Sequence, residues 1–408
     1  MDDASPPRDV LDRLAAWPRG PLATALLLLA CAVPAAHLFH ASTLFGSGNG
    51  EEAAATMRVF LAAGLPLWTL AWALVAAMWW RRELPLRSRA ALLLLVPAGI
   101  VVAGAFAPPS LSDDIFRYVW EGRVMLAGEN PYVLAPADPA LRELAARSPD
   151  VHPFVNNPQL SAIYPPLAQA LFALVALLCG GTTLMKLALC VPAAIAVVLF
   201  HRFLAGRGLP TGRALALAAH PLLLMELGFG GHLEPLLLLG VCAMLLAVER
   251  GPSWRAGAVA GAGLAVAILV KLMPVVFLPH LLASLRGRRA RVAALVATPL
   301  VVALFYAPFL GAGGDLFSTL GTYNKNWEFN GMAHRALVGA WHGLDPRGER
   351  IAGAIDAVGA VAGAEDLSGR LRASKGFEPI HPAQLAARLP AAAVFGAAWI
   401  AARWRKAP

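Results

Sequence analysis

The chain has 408 residues, of which 58% are hydrophobic and 14% charged, and its mean hydropathy is +0.61. Soluble domains carry about 25% charged residues, so this composition excludes an ordinary soluble domain and predicts an all-α polytopic membrane protein. The net charge of +9 does not indicate a nucleic-acid partner, because the basic residues cluster between apolar segments, as the positive-inside rule expects.

The first apolar segment, residues 21–39, is long enough to cross a bilayer. Residues 1–20 mix Asp with Arg, unlike a cleavable signal peptide, so we predict a retained first helix after a cytoplasmic N-terminal tail. The cysteines lie in apolar stretches without paired spacing, which predicts neither a disulfide framework nor a metal site. They are Cys31, Cys179, Cys190 and Cys242.

Further apolar segments alternate with basic turns along the chain. We predict membrane-crossing helices at residues 21–39, 59–80, 90–107, 184–204, 213–229, 233–249, 291–310 and 385–402. Because Arg and Lys favour the cytoplasmic side, the arginine-rich turn at 81–89 is expected in the cytoplasm. The 40–57 loop has Glu51 and Glu52 and no Lys or Arg, so it is expected outside.

Two regions do not fit a simple alternation of crossings. Residues 163–179 and 184–204 are both apolar, yet the chain must cross an odd number of times there, so we predict that one of them is re-entrant or interfacial. Residues 256–285 begin and end beside basic clusters, which predicts two short helices meeting near Lys271 on the outer side. In total we expect a bundle of about 10–12 transmembrane or re-entrant helices.

The segment after residue 107 is predicted to be a long extracytoplasmic loop, 108–162. It opens with the sequence SDDIFRYVWEGR at 112–123. Loops of this length are usually functional or disordered, and the aromatic and proline content argues for order. We predict a membrane-embedded catalytic module at 21–331 that includes this loop, followed by C-terminal membrane segments at 332–408.

Polar side chains gather on the predicted outer side of the membrane. Each has a structural explanation, such as a solvated helix cap for the Asp pair or an outward-reaching lysine. A purely structural account does not predict that they share one depth, so we favour a functional site. These residues are Asp113, Asp114, Arg117, Arg123, Glu226, His232, Glu234 and Lys271.

This set of side chains suits sugar transfer from a charged lipid-linked donor. A carboxylate can deprotonate an attacking hydroxyl, and Lys or Arg can neutralise the phosphate that leaves. Aromatic side chains, here Trp120, Tyr132, Tyr164 and Trp327, can cover the apolar face of a sugar. No phosphate-binding P-loop or dinucleotide fingerprint occurs, and no cofactor or metal is expected.

At these residues the chain resembles the GT-C superfamily of integral-membrane glycosyltransferases. It is most similar to bacterial polyprenol-phosphate-mannose-dependent (α-1,6-)mannosyltransferases. The resemblance rests on SDDIFRYVWEGRVMLAGENPY (112–132), IYPPLAQALF (163–172), GGHLEP (230–235), VKLMP (270–274) and YNKNWEFNG (323–331).

The resemblance implies an enzyme of the cytoplasmic (inner) membrane with its active site on the extracytoplasmic face. It would transfer a hexose, mannose by this likeness, from polyprenyl phosphate to a glycan or lipid acceptor, with inversion and without a metal. The base would be Asp113 or Asp114, with Asp114 favoured. Lys271, with Arg117 or Arg123, would contact the donor phosphate. The substrate-binding set would be Tyr118, Trp120, Tyr132, Tyr164, Gln169, Glu226, His232, Glu234, Trp327 and Asn330.

Two other functions fit part of the pattern. A transporter or flippase of a lipid-linked or anionic substrate would also place charges in a membrane cavity, although the sequence has no inverted repeat and its acidic pair lies in a loop. A scaffold subunit of an envelope complex could keep the fold without activity. The lipid bilayer is an expected partner in all three cases.

Overall fold

The computed structural model describes residues 21–87, 89–326, 332–361, 364–373, 379–388 and 396. Within these residues the regular structure is helical, with no β-strand, in agreement with the predicted all-α class. The chain divides into two compact units. The first contains the described residues up to Pro158 together with Tyr164–Pro308, and the second contains Gln159–Ile163 and the residues from Phe309 onward.

The first unit contains thirteen of the helices named here. They are α1 Pro21–Gly46, α2 Gly50–Trp79, α3 Leu95–Ala105, α4 Asp114–Leu126, α5 Arg142–Ala146, α6 Pro166–Leu177, α7 Thr182–Gly206, α8 Arg213–Ala218, α9 Pro221–Met225, α10 Glu234–Val248, α11 Trp254–Ile268, α12 Leu278–Ser284 and α13 Arg288–Tyr306. Its main packed layer is formed by α7, α10, α11 and α13, and α4 packs against α6.

Four helices in the described residues are long and apolar enough to cross a membrane: Ala23–Gly46, Gly50–Trp79, Thr182–Gly206 and Arg288–Tyr323. Six shorter apolar helices accompany them, so the predicted polytopic bundle is confirmed as a class. Large apolar side chains such as Leu300 and Leu304 are more than 60% exposed. Lipid contact explains this exposure, because acyl chains do not penalise apolar surface.

Several predicted element boundaries are corrected by the structure. The 40–57 loop is mostly helical, because α1 continues to Gly46 and α2 already begins at Gly50. Glu51 and Glu52, the acidic residues on which its predicted outside location depends, lie in the first turn of α2, where they complement the helix dipole.

The predicted span 213–229 is broken rather than continuous. It divides into α8, α9 and a π-helical turn at Glu226–Gly230. Pro221 lacks the backbone N–H that a continuing helix requires, and His220 before it has an extended backbone. Of the two apolar stretches in 163–204, α6 has only 12 residues and α7 has 25, so α6 is the non-spanning candidate.

Charged groups lie near both ends of α7. Near its C-terminal end Arg207 pairs with Glu249 at 3.0 Å, and the adjoining turn carries a hydrogen bond from Thr211 to Glu83 at 2.6 Å. Near its N-terminal end Lys186 donates to the carbonyl oxygens of Gly104 and Ala107 at the end of α3. The 21 residues from Lys186 to Arg207 rise about 32 Å along a helix, close to the bilayer core thickness.

The second unit contains α14 Ser318–Asn326, α15 Met332–Leu344, α16 Glu349–Val361 and α17 Leu367–Arg372. Within it the Ser161 hydroxyl bonds that of Thr319 at 2.9 Å, so segment 159–163 is tied to α14. The boundary between the two units falls after Pro308, whereas the predicted catalytic module extends to residue 331. Most of the predicted span 385–402 lies outside the described residues.

Candidate functional site

The motif at 112–123 forms the start of a short amphipathic helix, α4. Ser112 accepts a hydrogen bond from the Asp114 backbone N–H at 3.2 Å, and Asp114 lies in the first turn, where a carboxylate complements the helix dipole. One face of α4 is buried, including Ile115 and Val119. The helix therefore holds its acidic N-terminus in a fixed position against the rest of the unit.

Asp114 is the more constrained of the two adjacent carboxylates. Its Oδ1 accepts a hydrogen bond from Asn156 Nδ2 at 2.7 Å, and its Oδ2 accepts one from the Tyr164 hydroxyl at 3.0 Å. Its side chain is 34% exposed, whereas Asp113 is an exposed residue held only by the same Asn156 amide at 2.7 Å. The geometry therefore favours Asp114 over Asp113 as the reactive carboxylate.

Arg117 is buried and bound by protein groups. It donates to Asn156 Oδ1 at 3.2 Å, to the backbone oxygens of Asn156 and Asn157 at 2.8 Å each, and to Glu121 at 3.1 Å. Glu121 in turn accepts from Gln169 at 2.6 Å. Burial raises the pKa of Glu121, although Arg117 and Gln169 oppose that shift. Arg117, predicted to contact the donor phosphate, and Gln169, predicted to contact substrate, are thus both buried and bonded to protein groups.

The turn between α9 and α10 faces the same carboxylate. His232 Nε2 lies 4.0 Å from Asp114 Oδ2, while its Nδ1 hydrogen-bonds Glu226 in the π-helical turn. Gly231 has φ +71°, and a Cβ there would lie 2.4 Å from the Ile115 side chain, so this turn approaches α4 only with glycine. π-Helical turns of this kind are frequent at functional sites.

The charge state of His232 follows from its neighbours. Burial favours the neutral imidazole, but the hydrogen bond and charge of Glu226, with the charges of Glu234 and Asp114, raise the pKa of His232. The imidazole is therefore biased towards its cationic form beside Asp114. A cation at this position can bind an anionic group or share a proton with the carboxylate.

Lys271 and Glu234 form an ion pair beside this turn. Glu234 begins α10, and Lys271 follows the C-terminal end of α11. The two side chains are 44% and 42% exposed, so the lysine keeps an accessible face. Lys271 itself lies between two short helical segments, Trp254–Ile268 and Met273–Ser284, as predicted for residues 256–285.

Three predicted sugar-contacting aromatics are core residues. Tyr118, Trp120 and Tyr132 are each 1% exposed. Tyr118 stacks on Phe172 with ring centroids 4.7 Å apart, and Trp120 packs on His152. These three rings, predicted to contact substrate, are thus packed in the protein interior. Trp327 and Asn330 lie outside the described residues.

Tyr164 is only partly buried and connects this core to the carboxylate. Its hydroxyl donates to Asp114 and accepts from Tyr118 at 3.2 Å, and its carbonyl accepts from Tyr132 at 2.6 Å. Among the predicted aromatic residues that the structure describes, Tyr164 is therefore the one that bonds the Asp114 carboxylate.

Arg123 lies on α4 but points to a different partner. Its guanidinium makes a bidentate contact with Asp150, with both distances 2.7 Å. The hydrogen bond from Arg123 lowers the pKa of Asp150. This ion pair ties the end of the loop 127–149 to α4. The Arg123 guanidinium therefore binds Asp150 and not Asp114.

Two polar residues in this region were given no role by the sequence analysis. Asn156 lies in the predicted loop 108–162 and contacts both acidic side chains. Lys186 is 0% exposed and donates to the Gly104 and Ala107 carbonyl oxygens at 3.3 and 2.8 Å. The signal for Lys186 was its position as an ionisable residue within an apolar segment. Among the described residues no group of three or more His, Cys, Asp or Glu side chains could hold a metal ion.

One comparison with known proteins gave a match. The model described as "Alpha-(1->6)-mannopyranosyltransferase, N-terminal domain" matches residues 19–287, which is more than half of the chain. This range includes Asp114, Asn156, Tyr164, His232 and Lys271, which we call the Asp114 cluster. No curated protein and no solved structure matches the chain.

Proposed function

The chain belongs to the alpha-(1->6)-mannopyranosyltransferase family, and on that premise we propose that it transfers mannose from a polyprenyl-phosphate donor to an extracytoplasmic glycan or lipid acceptor. Family membership supports a membrane mannosyltransferase in general. The polyprenyl-phosphate donor, the reaction mechanism and the side of the membrane on which the site lies are our proposal beyond family membership.

The proposed reaction is a single displacement at the anomeric carbon. An acceptor hydroxyl gives its proton to Asp114 as its oxygen forms a bond to C1 of mannose. The bond from C1 to the phosphate oxygen breaks at the same time, and polyprenyl phosphate leaves with the electron pair. The anomeric centre is inverted, so an α-linked product requires a β-linked donor.

The observation that carries this proposal is the environment of the Asp114 carboxylate. It is 34% exposed, both of its oxygens are oriented by hydrogen bonds, and a His side chain faces it at 4.0 Å. A general base must be fixed in position and reachable by the hydroxyl that it deprotonates. Asp114 meets both conditions, whereas Asp113 is exposed and has a single bond to Asn156.

Lys271 is the cation that we assign to the donor phosphate. Arg117 is buried and Arg123 is engaged with Asp150, whereas Lys271 is 44% exposed. A phosphate would compete with Glu234 for this ammonium group. We assign Glu234 and the Glu226–His232 pair to the sugar hydroxyls on the acceptor side.

We infer that the site faces away from the cytoplasm. The support is the position of the arginine-rich turns at the C-terminal end of α7, whereas the Gly231 turn lies beside Lys186 and Ile115 at its N-terminal end. By the positive-inside rule the arginine-rich end is cytoplasmic. A glycosyltransferase family also favours an enzyme over the transporter or flippase considered above.

The test is the paired variants Asp114→Asn and Asp113→Asn. Purified protein in detergent would be given polyprenyl-phosphate mannose and a synthetic octyl mannoside acceptor. Because general-base assistance contributes about 10²–10⁴-fold, Asp114→Asn should lose transfer by that factor while still binding donor. Asp113→Asn is the matched control and should stay within a few-fold of wild type. Full activity in both variants would reject the mechanism.

A further inference from the structure

We propose that Asn156 is a positioning residue that orients Asp114, and that a buried chain of Arg117, Glu121 and Gln169 holds Asn156 in place. The inference rests on the proposed role of Asp114 as general base. It assigns a functional part to a loop residue that lies 42 positions away from its carboxylate partner.

The Asn156 amide joins the two carboxylates. Its Nδ2 donates to Asp113 Oδ1 and to Asp114 Oδ1, both at 2.7 Å. The two N–H groups of one amide can serve one carboxylate each. One amide can therefore hold both acidic side chains in place.

The orientation of this amide is determined by Arg117. A guanidinium only donates, so the Asn156 atom facing Arg117 Nε at 3.2 Å must be the oxygen. The NH2 group then necessarily faces the carboxylates. Arg117 also donates to the carbonyl oxygens of Asn156 and Asn157, which fixes the backbone of the loop as well as the amide.

Arg117 is in turn held by a buried partner. It is 4% exposed and Glu121 is 2% exposed, one helical turn apart on α4, and they are joined at 3.1 Å. Gln169 on α6 donates to the second oxygen of Glu121 at 2.6 Å and is 0% exposed. A buried ion pair of this kind adds little net stability but has one well-defined geometry. Its use here is to keep Asn156 aimed at Asp114.

The two oxygens of Asp114 are therefore distinguished. Oδ1 is occupied by Asn156, whereas Oδ2 lies on the side of Tyr164 and His232. We assign Oδ2 to the acceptor proton. The titratable and charged groups that surround Asp114 are Asp113, Arg117 and Glu121 on α4, Tyr118 and Tyr164 through their hydroxyls, and His232, Glu226 and Glu234 from the opposite turn.

The experiment compares kcat and KM of Asn156→Ala with those of wild type, using polyprenyl-phosphate mannose and the octyl mannoside acceptor. Loss of a hydrogen bond to a charged group costs about 1.5–3 kcal/mol, or about ten- to a hundredfold in rate. We expect kcat to fall by that factor, because a misoriented base slows the chemical step, while KM for the donor stays near the wild-type value.

Asn157→Gly is the matched control. Asn157 contributes its backbone carbonyl to Arg117 and has φ +44°, a conformation that glycine adopts without strain. We expect the wild-type kcat. If Asn156→Ala does not fold, Arg117→Lys replaces it, because lysine keeps the charge beside Glu121 but cannot reach all of the Asn156 and Asn157 acceptors. It should lower kcat in the same way, with little change in the KM for donor.

A double variant separates this inference from the proposed function. If Asn156 acts through Asp114, then Asn156→Ala should cause little further loss when Asp114 is already Asn. Equal losses in both backgrounds, or an unchanged kcat in Asn156→Ala, would overturn the inference while leaving Asp114 as the base. Full activity of Asp114→Asn alone would instead reject the proposed function.

Discussion

The contact between α4 and α6 leads to a sharp prediction about Gly122, the glycine of the WEGR sequence. A Cβ on Gly122 would lie 2.2 Å from the Phe172 carbonyl oxygen and 2.5 Å from its carbon. Both are backbone atoms, so no side-chain rotation can relieve the overlap. Ordinary contact begins near 3.4 Å, and the two helices would have to separate by about 1 Å.

We expect Gly122→Ala to weaken both folding and activity. Overpacking a tight contact costs about 1–3 kcal/mol, which exceeds the up to about 1 kcal/mol that alanine gains over glycine in a helix. Helix α4 carries Asp114 and Arg117, and α6 carries Gln169. A displacement of about 1 Å at a reacting group can cost about 10²-fold in rate, so transfer should fall by up to that factor.

The assay is thermal unfolding in detergent together with mannosyl transfer. Gly99→Ala is the matched control, because Gly99 lies within α3, is exposed and has nothing within 4 Å of an added Cβ. That variant should unfold at or above the wild-type temperature and keep its activity. A Gly122→Ala protein that matches wild type in both measurements would refute the close approach of α4 to α6.

Two further predictions concern the donor site and the topology. Lys271→Ala should weaken donor binding by about 1.5–3 kcal/mol, the value for a hydrogen bond to a charged group, with the folded state preserved; an unchanged donor Kd measured by titration would remove Lys271 from the phosphate site. The exposed Glu129, changed to Cys in a Cys179→Gly background, should react with a membrane-impermeant thiol reagent in intact cells, whereas labelling only after lysis would reverse the orientation.

Local chemistry in the sequence determined the class of the protein and much of its site. The apolar composition required a membrane protein, and the order of motifs placed Asp114, His232, Glu234 and Lys271 together on one predicted side. The structure brings these residues into one cluster. The break before Pro221 follows from a local rule as well, although the predicted span 213–229 passed over it.

Only the tertiary structure decided which charged residues are available. The spacing of Arg117 and Glu121 was visible in the sequence, but their burial was not, and the contact of Arg117 with Asn156 was not visible either. The same holds for Trp120, which is an interior residue. A sequence motif gives the type of each side chain and the helix face on which it lies, but not which other segments cover that face.

The partners of Asp114 show the physical reason. Asn156, Tyr164 and His232 lie 42, 50 and 118 positions further along the chain. The entropy cost of closing a loop rises only slowly with its length, so separation in sequence says little about which residues meet. Helical phase is set by neighbours three and four positions apart, and the sequence reveals it directly. Contacts between distant segments depend on how whole helices pack, and only the folded chain determines them.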